Sequence, residues 1–273
     1  MQTDKIITSH SNPHIKNILK LREKKERGKA GTILIEGARE ILRAKESGVV
    51  FSELYFCPEF CNGQGARALI KEIKSKSKGA KLFEVTEKIF SRISFGERKE
   101  GILAICQRPR RSFGDIKFKK EPFLIVVERV EKPGNLGALL RSCDGAGVDG
   151  IIFCENQTDT YNPNVVRSSL GTIFSVCVVE SSNEEALLFL RKNKIRIFAA
   201  TPNTKILYTQ ADFNSALACV VGSEEAGLSD FWLKNSDTQI KIPMQGKADS
   251  LNVSATTAIL LYEALRQRGG QGI

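Results

Sequence analysis

Short apolar runs and helical patterns alternate through the first hundred residues of the chain. Within 12–27, Ile15, Ile18 and Leu19 recur at the spacing of one helix face, and Pro13 fits the first turn of a helix. Other strands and helices follow, in the order strand, helix, strand, helix, strand, strand, at 31–36, 37–47, 51–57, 65–78, 81–85 and 102–106. This order predicts a small α/β domain covering residues 1–107.

The pattern changes after residue 121. Strongly apolar runs that are typical of buried strands recur at 123–127, 150–154, 174–179, 195–199 and 217–221. Helical segments separate most of these runs, and apolar strands linked by helices typically form a mainly parallel sheet covered on both faces. We therefore predict a second α/β domain covering residues 122–273.

Residues 108–121 join the two predicted domains. Six of the residues in 108–120 are basic, and the segment also contains one proline and one glycine, which is typical of a linker. We expect it either to contact a phosphate backbone, with Arg110 and Arg111 as candidates, or to be simply solvated.

Charge is divided unevenly between the two halves. The chain has 273 residues and a formal charge of +10. Residues 1–120 hold 27 Lys and Arg against 14 Asp and Glu, whereas residues 121–273 hold 14 against 17. A basic module suits a polyanion such as nucleic acid, because neutralised phosphates release counterions. The alternative is that the lysine-rich helices are solvated faces that maintain solubility.

Several common kinds of site are disfavoured. Gly145–Gly150 matches the dinucleotide string GxGxxG, but it follows a predicted helix and precedes a strand, the reverse of what pyrophosphate binding needs. His10, His14, Cys57 and Cys61 lack the usual zinc-finger spacing, so we expect no metal. Both histidines lie in the first fourteen residues, so a Ser-His-Asp or Cys-His site would have to span both predicted domains, which disfavours a hydrolase.

Composition also bears on the cellular compartment. The longest aliphatic runs are far shorter than the roughly 20 residues of a membrane span, and the first residues lack the apolar stretch of a secretory signal. The seven cysteines are scattered, which suggests reduced thiols. We therefore expect a cytoplasmic protein.

Three segments of the second predicted domain carry candidate chemistry. In the first, a strand ends at a Pro-Gly turn, Asn135 lies where a helix N-cap is expected, and Arg141 follows on the first turns of the helix. Both lie beyond the carboxyl edge of the predicted sheet, where α/β proteins place their sites. Taken alone, Asn135 could equally be a helix cap and Arg141 a surface cation.

The second segment, 220–229, contains Gly222 and Glu224 in a loop after a strand, and glycine permits close approach of the backbone to a ligand. The third segment, 242–254, leads into the last predicted helix, along which Ala255, Ala258, Ile259 and Tyr262 recur at helical spacing. Ser250 and Asn252 in this segment could be caps of that helix.

The strings NLGALLRSCDGAGV, GSEEAGLS and IPMQGKADSLNVS resemble, in order and spacing, the three motifs of the SpoU (TrmH-type) RNA ribose methyltransferases of the SPOUT superfamily. The strings SNPHIKNILKLREKK and ILIEGAREILRAKESG resemble, more loosely, the substrate-binding domain that often precedes that catalytic domain. The resemblance covers residues 122 to 273 closely.

This resemblance implies an S-adenosylmethionine-dependent enzyme that methylates a ribose 2′-hydroxyl, most often in rRNA. It implies a parallel sheet with a deep trefoil knot, a rare exception to the unknotted rule, and a homodimer whose site is completed across the interface. It places residues at the cofactor, namely Gly222, Ile242, Leu251, Met244 and Thr201. It places polar residues in the active site, namely Asn135, Arg141, Glu224, Ser250 and Asn252. It places Arg167 in a segment that meets RNA.

Two positions depart from the family pattern. Lys132 precedes the proline of the first motif where an acidic residue is more common, and Glu225 follows Glu224 where a small residue is common. The alternatives to rRNA ribose methylation are the same chemistry on tRNA, methylation of a base nitrogen, and a non-catalytic RNA-binding protein of the same fold.

Overall fold

The computed structural model describes residues 5–61, 64–76, 79–95, 100–155 and 158–269. Residues 77–78 of the helix predicted at 65–78 lie outside these ranges. No helix within the described residues is both long and apolar enough to cross a membrane.

The described residues up to 107 form five strands and five helices. Their bounds are β1 Lys5–Ile7, α1 Pro13–Lys20, α2 Lys24–Ala30, β2 Thr32–Glu36, α3 Ala38–Glu46, β3 Phe51–Phe56, α4 Gln64–Lys76, β4 Lys81–Val85, α5 Glu87–Ile93 and β5 Ile102–Gln107. The sheet has the order β1-β4-β3-β5-β2, in which β5 runs antiparallel to both neighbours and the other pairs are parallel. The α/β prediction for this part is confirmed; β1 and α5 were not predicted.

The helix predicted over 12–27 is divided into two. Asn12 caps α1, because its Oδ1 accepts a hydrogen bond from the His14 amide at 2.9 Å. The break follows Lys20, where the Arg27 guanidinium donates to the carbonyls of Leu21 and Arg22 at 2.9 and 2.6 Å. These carbonyls therefore have a partner without a continuous helix.

The remaining residues form a second series. Its bounds are β6 Phe123–Glu128, α6 Pro133–Ala146, β7 Gly150–Cys154, α7 Pro163–Ser168, α8 Thr172–Ser175, β8 Val178–Ser181, α9 Asn183–Lys192, β9 Arg196–Ala200, β10 Leu217–Val221, α10 Asp230–Asn235, β11 Thr238–Ile240 and α11 Val253–Gln267. The sheet order is β11-β9-β10-β6-β7-β8, and every pair is parallel. The predicted parallel sheet is thus confirmed, whereas the deep knot stays a prediction.

One predicted strand is placed wrongly. The apolar run 174–179 was expected to be a strand, but Phe174 lies in α8 and β8 starts only at Val178. Both Phe174 and Val178 are buried. An apolar run by itself does not distinguish a buried helical turn from a buried strand. The short β11 was not predicted.

The chain divides into two compact units. The first unit comprises residues 1–109 together with 159–175, and the second unit comprises 110–158 together with 176–273. Segment 159–175 was expected to lie within the second domain. It packs in the first unit instead, where Arg27 donates to Asp159 Oδ2 at 2.5 and 2.8 Å and Arg43 donates to the Leu170 carbonyl at 2.7 Å.

The basic segment predicted as a linker packs against the second unit. Phe113 stacks on Phe189 with ring centroids 4.4 Å apart, and Ile116 is buried in the core of this unit. The Lys119 ammonium donates to the Gly147 carbonyl. Residues 113–119 are therefore held by apolar packing and hydrogen bonds.

Candidate active site

A cavity of about 310 Å³ opens at the carboxyl edge of the parallel sheet in the second unit. Its walls are the segments that follow three neighbouring strands, 201–203 after β9, 222–228 after β10 and 242–251 after β11, together with the start of α11. Ligands of α/β proteins bind outside the carboxyl ends of parallel strands, so the cavity lies where such a site is expected. Its volume is at the lower end of the range for small-molecule sites.

The residues assigned to the cofactor by resemblance all line this cavity. They are Thr201, Gly222, Ile242, Met244 and Leu251. They come from three segments of the chain, one after each of the strands β9, β10 and β11, and only the tertiary structure brings these segments together. Whether these residues bind the cofactor stays a prediction.

Gly222 lies where the cavity loop folds back on itself. A Cβ atom at Gly222 would lie 2.2 Å from the carbonyl carbon and oxygen of Gly227 and 2.5 Å from the Leu228 nitrogen. Within the loop, the Gly227 amide donates to the Ser223 carbonyl at 3.0 Å, and the Ala226 amide donates to Ser223 Oγ at 3.1 Å. The backbone therefore leaves no room for a side chain at 222.

Three polar side chains meet beside the cavity. Asn135 Nδ2 donates to Glu224 Oε1. Asn252 Nδ2 donates to Glu224 Oε1 at 2.7 Å and to Asn135 Oδ1 at 3.1 Å. Each residue comes from a different one of the three motif segments, and we call this group the polar triad.

Asn252 also caps α11. Its Oδ1 accepts hydrogen bonds from the amide and the hydroxyl of Ser254 at 2.9 and 2.6 Å. The two interpretations considered for Asn252 are therefore compatible, because the amide oxygen caps the helix while the amide nitrogen belongs to the polar triad.

Asn135 was expected at an N-cap, and this placement is wrong. The N-cap of α6 is Lys132, Pro133 is the first helical residue and Asn135 is the third. Proline is favoured at the first helical position because it lacks an amide proton, and here the helix starts three residues upstream of the expected position. The Asn135 side chain is consequently free to bond Glu224.

Arg141 is not part of the polar triad. It is the ninth of the fourteen residues of α6 rather than a residue of its first turns. Its side chain is exposed, does not line the cavity and bonds no residue within the described ranges. Six helical residues correspond to a rotation of about 240°, so Arg141 and Asn135 lie on different faces of α6. Ser250 is exposed and lines the cavity.

The arginines assigned to RNA lie in both units. Arg167, on α7 of the first unit, is half-buried. Burial raises the pKa of the Glu36 carboxyl, while hydrogen bonds from Ser94 and Phe95 and the charge of Arg167 oppose this rise. In the second unit, Arg110 is exposed, whereas Arg111 donates to the Val176 carbonyl at 2.8 Å and so has a structural contact.

The residues noted at helical spacing in α11 do not form its buried face. Its buried residues are Val253, Thr257, Leu260, Leu261, Glu263 and Ala264. Ala255 and Tyr262 are exposed, the latter by 56 %, and Ala258 and Ile259 are half-buried. Both sets recur at helical spacing, and spacing alone does not tell which face meets the core.

Other lining residues escaped the sequence analysis. Asn203 and Asp249 line the cavity with polar side chains, but Asn203 lies in no motif and Asp249 was not singled out within the third motif string. Their usable signal is position alone, since each lies in a loop after a strand of the parallel sheet. Across the described residues, no three His, Cys, Asp or Glu side chains are grouped to hold a metal ion.

Two family models match the chain. The sequence model of the SpoU rRNA methylase family matches residues 122–262, and that of the MRM3-like substrate binding domain matches residues 12–104. The 23S rRNA (guanosine(2553)-2′-O)-methyltransferase RlmP of Bacillus subtilis is 27 % identical over 94 % of this chain and 98 % of its own length.

Two solved structures resemble this chain over nearly its whole length. A crystal structure of an RNA 2′-O ribose methyltransferase is 37 % identical, with a TM-score of 0.84 over 96 % of this chain and 99 % of that one. The SpoU methyltransferase AviRb of Streptomyces viridochromogenes, in complex with AdoMet, is 26 % identical, with a TM-score of 0.86 over 96 % of this chain and 100 % of its own.

Proposed function

Because this chain belongs to the SpoU rRNA methylase family, we propose that its polar triad and cavity carry out methyl transfer from S-adenosylmethionine to a ribose 2′-hydroxyl of rRNA. The chain is an RNA 2′-O-ribose methyltransferase, and its cofactor is S-adenosylmethionine. The Bacillus subtilis relative is named for 23S rRNA, which favours rRNA over tRNA as the substrate. The observation that carries the proposal is the cavity with the polar triad at its side.

The cavity fits this cofactor. Ile242, Leu251 and Leu260 supply apolar walls, and Gly222 and Gly227 line the cavity without side chains. Sites for nucleoside-sized ligands combine apolar walls with polar groups that fix the ligand's orientation, and here Asn203, Glu225 and Asp249 supply polar side chains. When bound, S-adenosylmethionine supplies a methyl group activated by its positive sulfur.

The residues of the chain must then position the methyl acceptor, the ribose 2′-hydroxyl. A sugar hydroxyl is hardly ionised at neutral pH, so the site must orient it and stabilise the negative charge that develops on its oxygen. Glu224 Oε1 is occupied by two amides, while Oε2 bonds no other residue of the described chain. We assign Glu224 Oε2 to accept the hydrogen bond of the ribose hydroxyl, with Asn135 and Asn252 holding the carboxylate and Ser250 shaping the adjacent loop.

Arg141 is assigned as a fixed positive charge. A guanidinium keeps its proton in proteins, so it serves better to bind an RNA phosphate and stabilise the developing anion than to act as a base. Arg141 has no partner among the described residues, and we propose that it acts at the active site of a second copy of the chain.

The test replaces Arg141 by alanine and by lysine and measures cofactor affinity and turnover separately. We expect Arg141→Ala to lose at least about a hundredfold in turnover, with cofactor affinity within twofold of the wild type, because a charge near the transition state contributes about 3 kcal/mol. Full turnover in Arg141→Ala would remove the residue from the mechanism. Mapping 2′-O-methyl groups in rRNA and tRNA with and without the protein identifies the substrate.

A homodimer is proposed through α6 and α11. These helices pack on each other, and their outer faces carry Gly145, Ala255, Ile259 and Tyr262, which are exposed or half-buried. Arg141 lies on the same helix pair. Tyr262→Glu should shift the mass in solution from two chains to one and remove turnover; an unchanged mass would contradict this face as the interface.

We also propose that the last part of the second unit is knotted. A chain stretched by its two ends should then retain a compact knotted segment instead of extending fully.

The first unit is proposed to bind the RNA. Its lysines Lys16, Lys20 and Lys25 on α1 and α2 are exposed, and Arg167 lies in the same unit. We propose that Arg110, in the second unit, also binds an RNA phosphate. The seven cysteines are free thiols, which suits a reducing compartment, and we propose the cytoplasm.

A further inference from the structure

Glu128 is a buried carboxylate at the carboxyl end of β6. It is the last residue of the strand and its side chain is fully buried. An ionised carboxyl in such a place is unfavourable unless hydrogen bonds replace its water. The hydrogen bonds that Glu128 makes to described residues all come from neutral donors.

Three donors surround this carboxylate. The Ser229 amide donates to Oε2 at 2.8 Å, and the Ser229 hydroxyl donates to Oε1 at 2.7 Å. Asn183 Nδ2 donates to Oε1 at 2.8 Å. Because an amide nitrogen can only donate, this arrangement needs a side chain that accepts on both oxygens, as an ionised carboxylate does.

The orientation of Asn183 is set from its other side. Trp232 is fully buried, and its indole Nε1, which can only donate, bonds Asn183 Oδ1 at 2.7 Å. The amide nitrogen of Asn183 must therefore face Glu128. The bonds form one continuous network from Trp232 to Ser229.

Ser229 is the first residue after the cavity loop 222–228. It stands at the N-cap of α10, yet its hydroxyl makes no capping bond to that helix and donates to Glu128 instead. The other end of the loop is attached to the same strand, because Val221 of β10 is paired with Val127 of β6. Both ends of the loop are thus attached to the end of β6.

The chain also turns sharply at this point. Arg129, directly after Glu128, has a φ of 56°, in the left-handed region that non-glycine residues rarely adopt. The turn leads to Asn135, while the loop beyond Gly222 carries Glu224. Glu128 therefore lies where the chain leads on to Asn135, and it is bonded to the end of the loop that carries Glu224.

We propose that Glu128 is a positioning residue for methyl transfer, whose carboxylate holds the exit of loop 222–228 against β6 and so sets the shape of the cofactor cavity and the place of Glu224. The inference rests on the proposed assignment of the cavity to S-adenosylmethionine. It predicts that cofactor binding depends on a residue that does not line the cavity.

Glu128→Gln tests this directly. The introduced amide nitrogen faces either the Ser229 amide or the Asn183 amide, so one donor faces another whichever way it turns. We expect the dissociation constant of S-adenosylmethionine, measured by calorimetry, to rise at least about tenfold. Amide hydrogen exchange of residues 222–229 should accelerate, and RNA affinity without cofactor should stay within twofold.

A second change should restore the network. In Glu128→Gln combined with Asn183→Asp, the new carboxylate accepts from both the introduced glutamine and the Trp232 indole, and the glutamine oxygen accepts from the Ser229 amide. Cofactor affinity and loop protection should then recover to within about threefold of the wild type. Should Glu128→Gln not fold, Ser229→Ala removes one of the three donors, and we expect about threefold weaker cofactor binding.

Asp149→Asn is the matched control. Asp149 is also a buried carboxylate, but it accepts from the Phe123 amide at 2.7 Å, at the opposite end of β6. It should lower the melting temperature and leave cofactor affinity unchanged. A wild-type dissociation constant in both Glu128→Gln and Ser229→Ala, or equal weakening in Asp149→Asn, would overturn the inference and leave the proposed function intact. No cofactor binding by the wild type would overturn both.

Discussion

Gly222→Ala is the sharpest test of the cavity loop. The added methyl group would lie 2.2 Å from the Gly227 carbonyl group, whereas non-bonded carbon atoms meet at roughly 3.5 Å. The backbone at Gly227 and Leu228, where the loop folds back, must therefore move by roughly 1 Å. Because the obstacle is backbone rather than a flexible side chain, the shift reaches the cavity wall.

The expected size follows from overpacking. Forcing a methyl group into a closed site costs about 1–3 kcal/mol. If the free protein relieves this strain by opening the loop, closing the loop around the cofactor costs the same free energy. Cofactor affinity then falls by about 5- to 150-fold. We expect at least a tenfold rise in the dissociation constant of S-adenosylmethionine, measured by calorimetry, and a smaller increase in melting temperature when the cofactor is added.

Two other glycines separate crowding from general loop effects. A Cβ at Gly246 would have no atom within 4 Å, so Gly246→Ala should bind the cofactor normally. Gly227 also has open space but a φ of 65°, so Gly227→Ala should show only the backbone strain, about 1 kcal/mol. Wild-type affinity in Gly222→Ala, or equal losses in Gly222→Ala and Gly246→Ala, would refute the reasoning.

Two further predictions concern the first unit. RNA affinity should fall steeply as salt rises from 50 to 200 mM, since each phosphate contact adds about −0.7 to −0.9 to the slope of log K against log salt; an affinity indifferent to salt, measured by filter binding, would contradict RNA binding through phosphates. Burial alone would raise the pKa of Asp159, but hydrogen bonds and charges from Arg27 and Arg108 outweigh it and hold the pKa below its usual 3.8. This carboxylate therefore stabilises the fold above about pH 4, and the contribution is lost as the pH falls through the lowered pKa. Asp159→Ala leaves Arg27 buried without its partner and should cost about 3–5 kcal/mol in urea unfolding, whereas exposed Asp230→Ala should cost little; equal stability of the two variants would count against the buried pair.

Sequence patterns predicted most elements of the two sheets because buried parallel strands are nearly continuous apolar runs, as at Phe123–Glu128 and Leu217–Val221. They did not determine the structure where an apolar run was compatible with more than one element or more than one orientation. Phe174 became helical, and the stripe containing Ala255 and Tyr262 faced outward. In both cases the periodicity was real, and the choice between faces depended on neighbours that are distant in the chain.

The candidate site divides in the same way. The short-range sequence already indicated some of the site residues. Gly222 is required because nearby backbone leaves no room for a side chain, and Asn252 caps the helix that follows it. Only the tertiary structure decided that Asn135, Glu224 and Asn252 meet, that Arg141 stays apart from them, and that 159–175 packs with the first unit. These outcomes depend on which strands pair in the parallel sheet and on which side chains hold long connections in place, and neither is encoded within one short stretch of chain.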